Sequence, residues 1–196
     1  MGMIEKMVLN LVSQMESKRM IDKAVSDQYE YALVTLIEHT ITVGTMLLIG
    51  LIFNQFIPTI CFLVFFLSLR KRTGGYHADK FWQCYLVTVI IYILIIQAAT
   101  VLSETPMAVY VMLSLAVLVI GVIGTVNHPN MDMDKDEFQE AKKAARLCVL
   151  MEASVIVALI ALKCNDLYVS YMSLAVILCA SLLCVAKVMK QEVKAR

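Results

Sequence analysis

The sequence predicts an all-α, polytopic bundle of membrane helices, and three observations carry that prediction. The chain of 196 residues is 60% apolar and 17% charged, outside the range of soluble domains, which run about 45–50% apolar and about 25% charged. Its mean hydropathy is +0.77. The apolar residues gather in windows without Asp, Glu, Lys or Arg: 40–69, 81–103, 105–131 and 167–186. Each is long enough for a bilayer-spanning helix, which needs about 20 such residues, and backbone in lipid must bond to itself. The same composition excludes intrinsic disorder, which requires low hydropathy and high charge. A net charge of +1 gives no reason to expect a nucleic-acid partner.

Residues 1–30 form the first element. Ile4, Met7, Val8, Leu11, Val12 and Met15 recur at helical spacing with polar residues between them. This reads as an amphipathic helix lying on the inner membrane surface or packed on the cytoplasmic ends of the bundle. It lacks the long apolar run and small-residue cleavage site of a signal peptide. The apolar stretch 31–69 is too long for one span, and Asn54, Gln55 and Pro58 interrupt it. Spans are therefore expected at about 33–53 and 56–70, then at 81–103, 107–126, 146–163 and 167–187. The span at 56–70 is short enough to be re-entrant instead of crossing. About six segments over 31–187, the interfacial helix 1–30 and a cytoplasmic tail 188–196 make a single membrane domain.

Lys and Arg set the expected orientation. Arg70, Lys71, Arg72 and Lys80 lie in one connection, Lys135, Lys142, Lys143 and Arg146 in another, and Lys187, Lys190, Lys194 and Arg196 at the end. Six spans put all three groups on the same side, with both termini cytoplasmic in a multi-pass protein of the cell membrane.

Most familiar chemistry is missing. The six cysteines show no CxxC pair and no disulfide-framework spacing. Within spans they read as small buried residues. His39, His77 and His128 are far apart, no HExxH occurs, and no metal or cofactor is implied. The exception is the segment from Arg70 to Cys84. Within fifteen positions it collects Arg70, Lys71, Arg72, Lys80, Gly74-Gly75, His77 and Cys84 at a membrane edge. Neighbouring cations favour the thiolate form of a cysteine, and a thiolate beside a general base is the arrangement for covalent acyl transfer. In one straight helix His77 and Cys84 would be separated by roughly 10 Å, beyond the reach of about 2.6–3.2 Å that a base needs. The glycine pair supplies the freedom for a bend, so the chain is expected to fold back there and bring the imidazole over the start of the third span.

The basic run, Gly-Gly-x-His and the His-to-Cys spacing of seven resemble the accessory gene regulator B (AgrB) family, integral membrane cysteine endopeptidases of Gram-positive quorum sensing. Chain length, the amphipathic N-terminal helix, six membrane segments and Pro129-Asn130 after the fourth span extend the likeness over essentially the whole chain. The resemblance implies that Cys84 attacks a small precursor peptide near its C-terminus, with His77 as base. The acyl-enzyme is then captured by a Cys or Ser of the substrate, giving a thiolactone or lactone autoinducing peptide. Arg70 and Gly75 also match the family pattern. Family precursors carry an amphipathic leader and an acidic tail, and Arg70, Lys71 and Arg72 could attract that tail while serving as a positive-inside anchor. The implied partners are the precursor, the lipid bilayer and a second copy of the chain, although nothing in the sequence signals oligomerisation directly.

The chain departs from the family where a Gly-x-Glu precedes the first span. It has Tyr31-Ala32-Leu33-Val34 there, with Glu38 one turn later. Glu38 could orient His77 or could simply sit at the interface; Asp79 offers another orienter. Glu152 lies about a turn inside the fifth span, near enough to its end to snorkel. The alternative function is a small transporter or channel subunit without peptidase activity, in which Glu38 and Glu152 line a pathway and Cys84 is a packing residue.

Overall fold

A computed structural model describes residues 3–75, 81–127 and 133–190. Among these, seven α-helices occur: α1 (Met3–Ser17), α2 (Ser26–Ile52), α3 (Phe56–Thr73), α4 (Phe81–Ser103), α5 (Pro106–Ile123), α6 (Lys135–Ala161) and α7 (Asp166–Val188). No strand occurs among the described residues. Length and composition suit five stretches for crossing a membrane: Lys23–Ile52, which adds a single 3-10 turn to α2, and helices α4, α5, α6 and α7. The protein is a multi-pass helical membrane protein. Of the two remaining helices, α1 has 15 residues and α3 has 18, about 27 Å at 1.5 Å per residue; α3 carries Arg70, Lys71 and Arg72 in its last turn.

The chain divides into two compact units, Met1–Met46 and Leu47–Arg196, with the division inside α2. In the first unit, α1 buries Val8 and Val12 while Met7 and Leu11 stay exposed. Asp22 caps the 3-10 turn by accepting from the Ala24 N–H, and α2 follows at Ser26, seven residues before the apolar window alone would start it.

In the second unit α7 is the central helix. It packs against α3, α4, α5 and α6, and 67% of its apolar window is buried, against 22–28% for α4, α5 and α6. Small residues permit this: Ala175, Ala186 and Ser173 are fully enclosed beside Tyr171, Val176 and Leu183. Close approach of membrane helices generally relies on such residues. The break between α2 and α3 falls at Asn54, which takes a left-handed φ of 55°. Pro58 sits in the first turn of α3, where its missing N–H removes no helical bond. Near the same end, Thr59 Oγ1 and Tyr92 Oη share a 2.6 Å hydrogen bond that links α3 to α4.

At the opposite end the C-termini of α3 and α5 are tied together. The Thr73 carbonyl accepts from the Val126 N–H and from Thr125 Oγ1, both at 3.1 Å. Gly74 (φ 63°) and Gly124 (φ 77°) terminate the two helices in backbone conformations that suit glycine. Asn127 then brackets the next segment, its Nδ2 donating to the Met133 carbonyl and its Oδ1 accepting from the Met133 N–H. From there Asp134 and Glu137 form a capping box, so α6 starts at Lys135, well before the apolar window at 147–162, whose one acid is Glu152.

Candidate active site

Three elements meet around Arg70, near the C-terminal end of α3. The helix must stop after Thr73, because Gly74 and Gly75 both have positive φ, 63° and 125°. The helix thus ends at the glycine pair, while the expected fold-back that brings His77 over the start of the third span lies outside the described residues. Arg70 turns its guanidinium along the end of its own helix, and Nη1 donates to the Gly74 carbonyl. The Gly75 backbone lies under that guanidinium and against the Leu182 carbonyl of α7; a Cβ on Gly75 would overlap Arg70 Nη1. Arg70 lies within electrostatic reach of two thiols, Cys84 at the start of α4 and Cys179 on α7.

Cys84 is half-buried. It begins the stripe Cys84, Thr88, Tyr92, Ile95, Ala99, whose last three members are buried and which follows the i, i+4, i+8, i+11 spacing of one helix face. The cysteine is thus on the bundle side of α4, while Trp82, Leu86 and Val87 are exposed on other faces. The first turn of α4 also carries an aromatic contact, Phe81 to Tyr85, with ring centroids 5.8 Å apart. Helix N-termini leave backbone N–H groups without intrahelical partners, so the start of α4 offers donors close to the sulfur. A held guanidinium and a half-accessible thiol in the first turn of a helix are groups that stabilise a nucleophile and a developing oxyanion.

The three expected basic contacts divide. Arg70 lies within electrostatic reach of Cys84, whereas Lys71 is exposed. Arg72 runs back along α3, its Nη1 donating to the Ser68 carbonyl at 2.7 Å, and lies within electrostatic reach of Cys148 and Glu152. Gly75 is buried against Arg70 as described. His77 and Asp79 lie outside the described residues, as do Lys80, His128 and Pro129-Asn130. Glu38 is on α2 in the first unit; it is half-buried, and its closest charged influence there is Glu5 on α1. Among the described residues no three His, Cys, Asp or Glu side chains are grouped to hold a metal ion.

Glu152 corrects an expectation. It does not snorkel: the side chain is 8% exposed and faces α3, where its Oε1 accepts from Ser68 Oγ and, at 3.6 Å, from Cys148 Sγ. The Cys148-x-x-x-Glu152 spacing puts both groups on one helix face, and a lone acid in an uncharged span is ordinarily interior-facing; those two signals point inward. Cys179 donates to the Phe66 carbonyl at 3.7 Å. Cys148 and Cys179 are buried, as expected for packing cysteines, while Cys61, Cys84, Cys164 and Cys184 are partly accessible.

Comparison with known proteins adds three findings. Residues 4–186 match the family described as accessory gene regulator B. The "Putative AgrB-like protein 2" of Clostridium perfringens strain 13 is 24% identical over 147 residues, covering 74% of this chain and 69% of the relative. The "Putative AgrB-like protein" of C. perfringens strain SM101 has the same identity and coverage. No solved structure matches the chain.

Proposed function

The chain belongs to the accessory gene regulator B family, and from that premise we propose that it is a cysteine endopeptidase of the inner leaflet that matures a peptide signal. Membership supports a role in quorum sensing, and the observation that supports the finer reading is a half-buried Cys84 within electrostatic reach of Arg70, whose guanidinium is held on the Gly74 carbonyl. In this reading Cys84 Sγ attacks the scissile carbonyl while His77 takes the thiol proton. The carbon–nitrogen bond then breaks, and the C-terminal fragment leaves as an amine with the proton returned by His77. The N-terminal portion stays on Cys84 as a thioester. A substrate thiol or hydroxyl next attacks that carbonyl, its proton passes to the released Cys84 sulfur, and a thiolactone or lactone closes.

The thioester must outlast hydrolysis for ring closure to win. Placement of the half-buried Cys84 on the bundle side of α4 favours that outcome. The exposed Lys71, with the basic residues of 135–146, offers attraction to an acidic tail. An amphipathic leader lying in the interface would bring the scissile bond to the depth of Cys84. The active end faces the cytoplasm if the basic connections follow the positive-inside rule.

Co-expression with the precursor tests the reading. Cys84→Ala and His77→Ala are each expected to abolish processing, and a hydroxylamine-sensitive adduct between chain and peptide should vanish in Cys84→Ala. Continued processing by both variants would rule out this chemistry.

A further inference from the structure

Glu152 is a carboxyl buried where α3 meets α6, and nothing in the proposed reaction uses it. Its Oε1 is shared by Ser68 Oγ of α3 and Cys148 Sγ of α6, while Oε2 has no hydrogen-bond partner among the described residues. Arg72 encloses the same place from outside, bonded to the Ser68 carbonyl. An ionisable side chain inside a membrane bundle is costly, and an apolar residue of similar volume would often pack there at no loss. The carboxyl therefore needs a reason beyond filling space.

The geometry of α3 supplies one. Successive residues advance about 100° around a helix, so Ser68 and Arg70 point in directions about 160° apart. A hold on Ser68 thus fixes the rotation of α3 about its axis, and Arg70 on the far side is what that rotation moves. Cys179 on α7 makes the weaker matching contact, to the Phe66 carbonyl. A guanidinium roughly 7 Å from the axis is displaced about 2 Å by a turn of only ~15°, given a backbone radius near 2.3 Å. Misplacement of about 1 Å can cost ~10²-fold in rate.

We propose that Glu152 is a positioning residue: through Ser68 it sets the rotation of α3 and so keeps Arg70 within electrostatic reach of Cys84. The inference rests on the peptidase reading for its consequence in turnover, but its geometric content does not depend on it. A carboxyl or carboxamide at 152 can hold Ser68; an aliphatic side chain cannot.

The test compares Glu152→Leu, Glu152→Gln and Ser68→Ala in the full-length chain in membranes. Two readouts are used: kcat and KM for the precursor, and the rate at which iodoacetamide alkylates Cys84 without peptide, resolved by mass spectrometry. Glu152→Leu and Ser68→Ala are expected to lower kcat by about 10- to 100-fold at unchanged KM, and to slow alkylation of Cys84. Glu152→Gln should restore both to within about threefold. If Glu152→Leu fails to insert, Ser68→Ala carries the comparison, since it leaves the carboxyl in place. Wild-type kcat and alkylation in Ser68→Ala would overturn the proposal, and so would a Gln variant as impaired as the Leu variant. Because alkylation is read without peptide, it decides the positioning even where Cys84→Ala and His77→Ala still process and the peptidase reading fails.

Discussion

Gly75 is the residue whose replacement the structure penalises most directly. Its φ of 125° is one that side chains rarely adopt, and an added Cβ would occupy the space of Arg70 Nη1. Gly75→Ala is expected to add about 1–3 kcal/mol of backbone strain and to displace the guanidinium, lowering processing on the order of 10²-fold. Quantifying mature peptide at matched protein levels checks this; near-normal processing would show that Arg70 tolerates the shift. The sequence offered Arg70, Gly75 and Cys84 as a group because they stand close together along the chain. It could not reveal that the Arg70 guanidinium covers Gly75, since that depends on how α3 ends. Glu152 was misjudged for a related reason: depth in a span is legible from hydropathy, but the facing side is set by a neighbour, here Ser68, distant in sequence.

Among the helices, α6 shows best where apolar windows mislead. Its window starts at Leu147, yet the helix begins at Lys135. The Asp134-x-x-Glu137 box marks that start in the sequence, whereas hydropathy sees only a charged connection. Asp134→Ala is expected to destabilise the first turns of α6 by about 0.5–2 kcal/mol. Faster amide exchange over residues 136–140, with exchange in α7 unaltered, would be its signature. The breaks at Asn54 and at Gly74-Gly75 were legible because glycine and asparagine carry left-handed φ values in their own chemistry. The pairing of the α3 and α5 termini through Thr73, Thr125 and Val126 was not, because two threonines give no sign of which carbonyl they will meet.

For the molecule as a whole, hydropathy located the membrane helices, with the starts of α2 and α6 lying earlier than the apolar windows; if α3 crosses together with the five helices suited to it, both termini lie on one side. The positive-inside rule, applied to the basic connections, predicts the cytoplasm for that side. A fluorescent protein fused after Arg196 is therefore expected to mature in the cytoplasm, and alkaline phosphatase fused at Glu104 to be active outside. The reverse pattern would require α3 not to cross, since its apolar part is the shortest. The central place of α7 could not be read this way. Its composition resembles that of α4 and α5, and only the run of small residues from Ser170 to Ala186 distinguishes it.

Arg146 illustrates how tightly two requirements share one residue. Its Nε donates to the Gly121 carbonyl at 2.8 Å and its Nη2 to the Val122 carbonyl at 3.4 Å, closing the end of α5, much as Arg70 closes α3. By the positive-inside rule these arginines are also among the charges expected to orient the chain. A lineage that lost such an arginine would weaken its orientation signal and uncap a helix in one step, and compensation elsewhere in the connection would repair only the first. The freedom of the basic connections to change is therefore expected to be narrower than their exposure suggests: an arginine bonded to a helix end answers two physical demands at once, an exposed lysine only one.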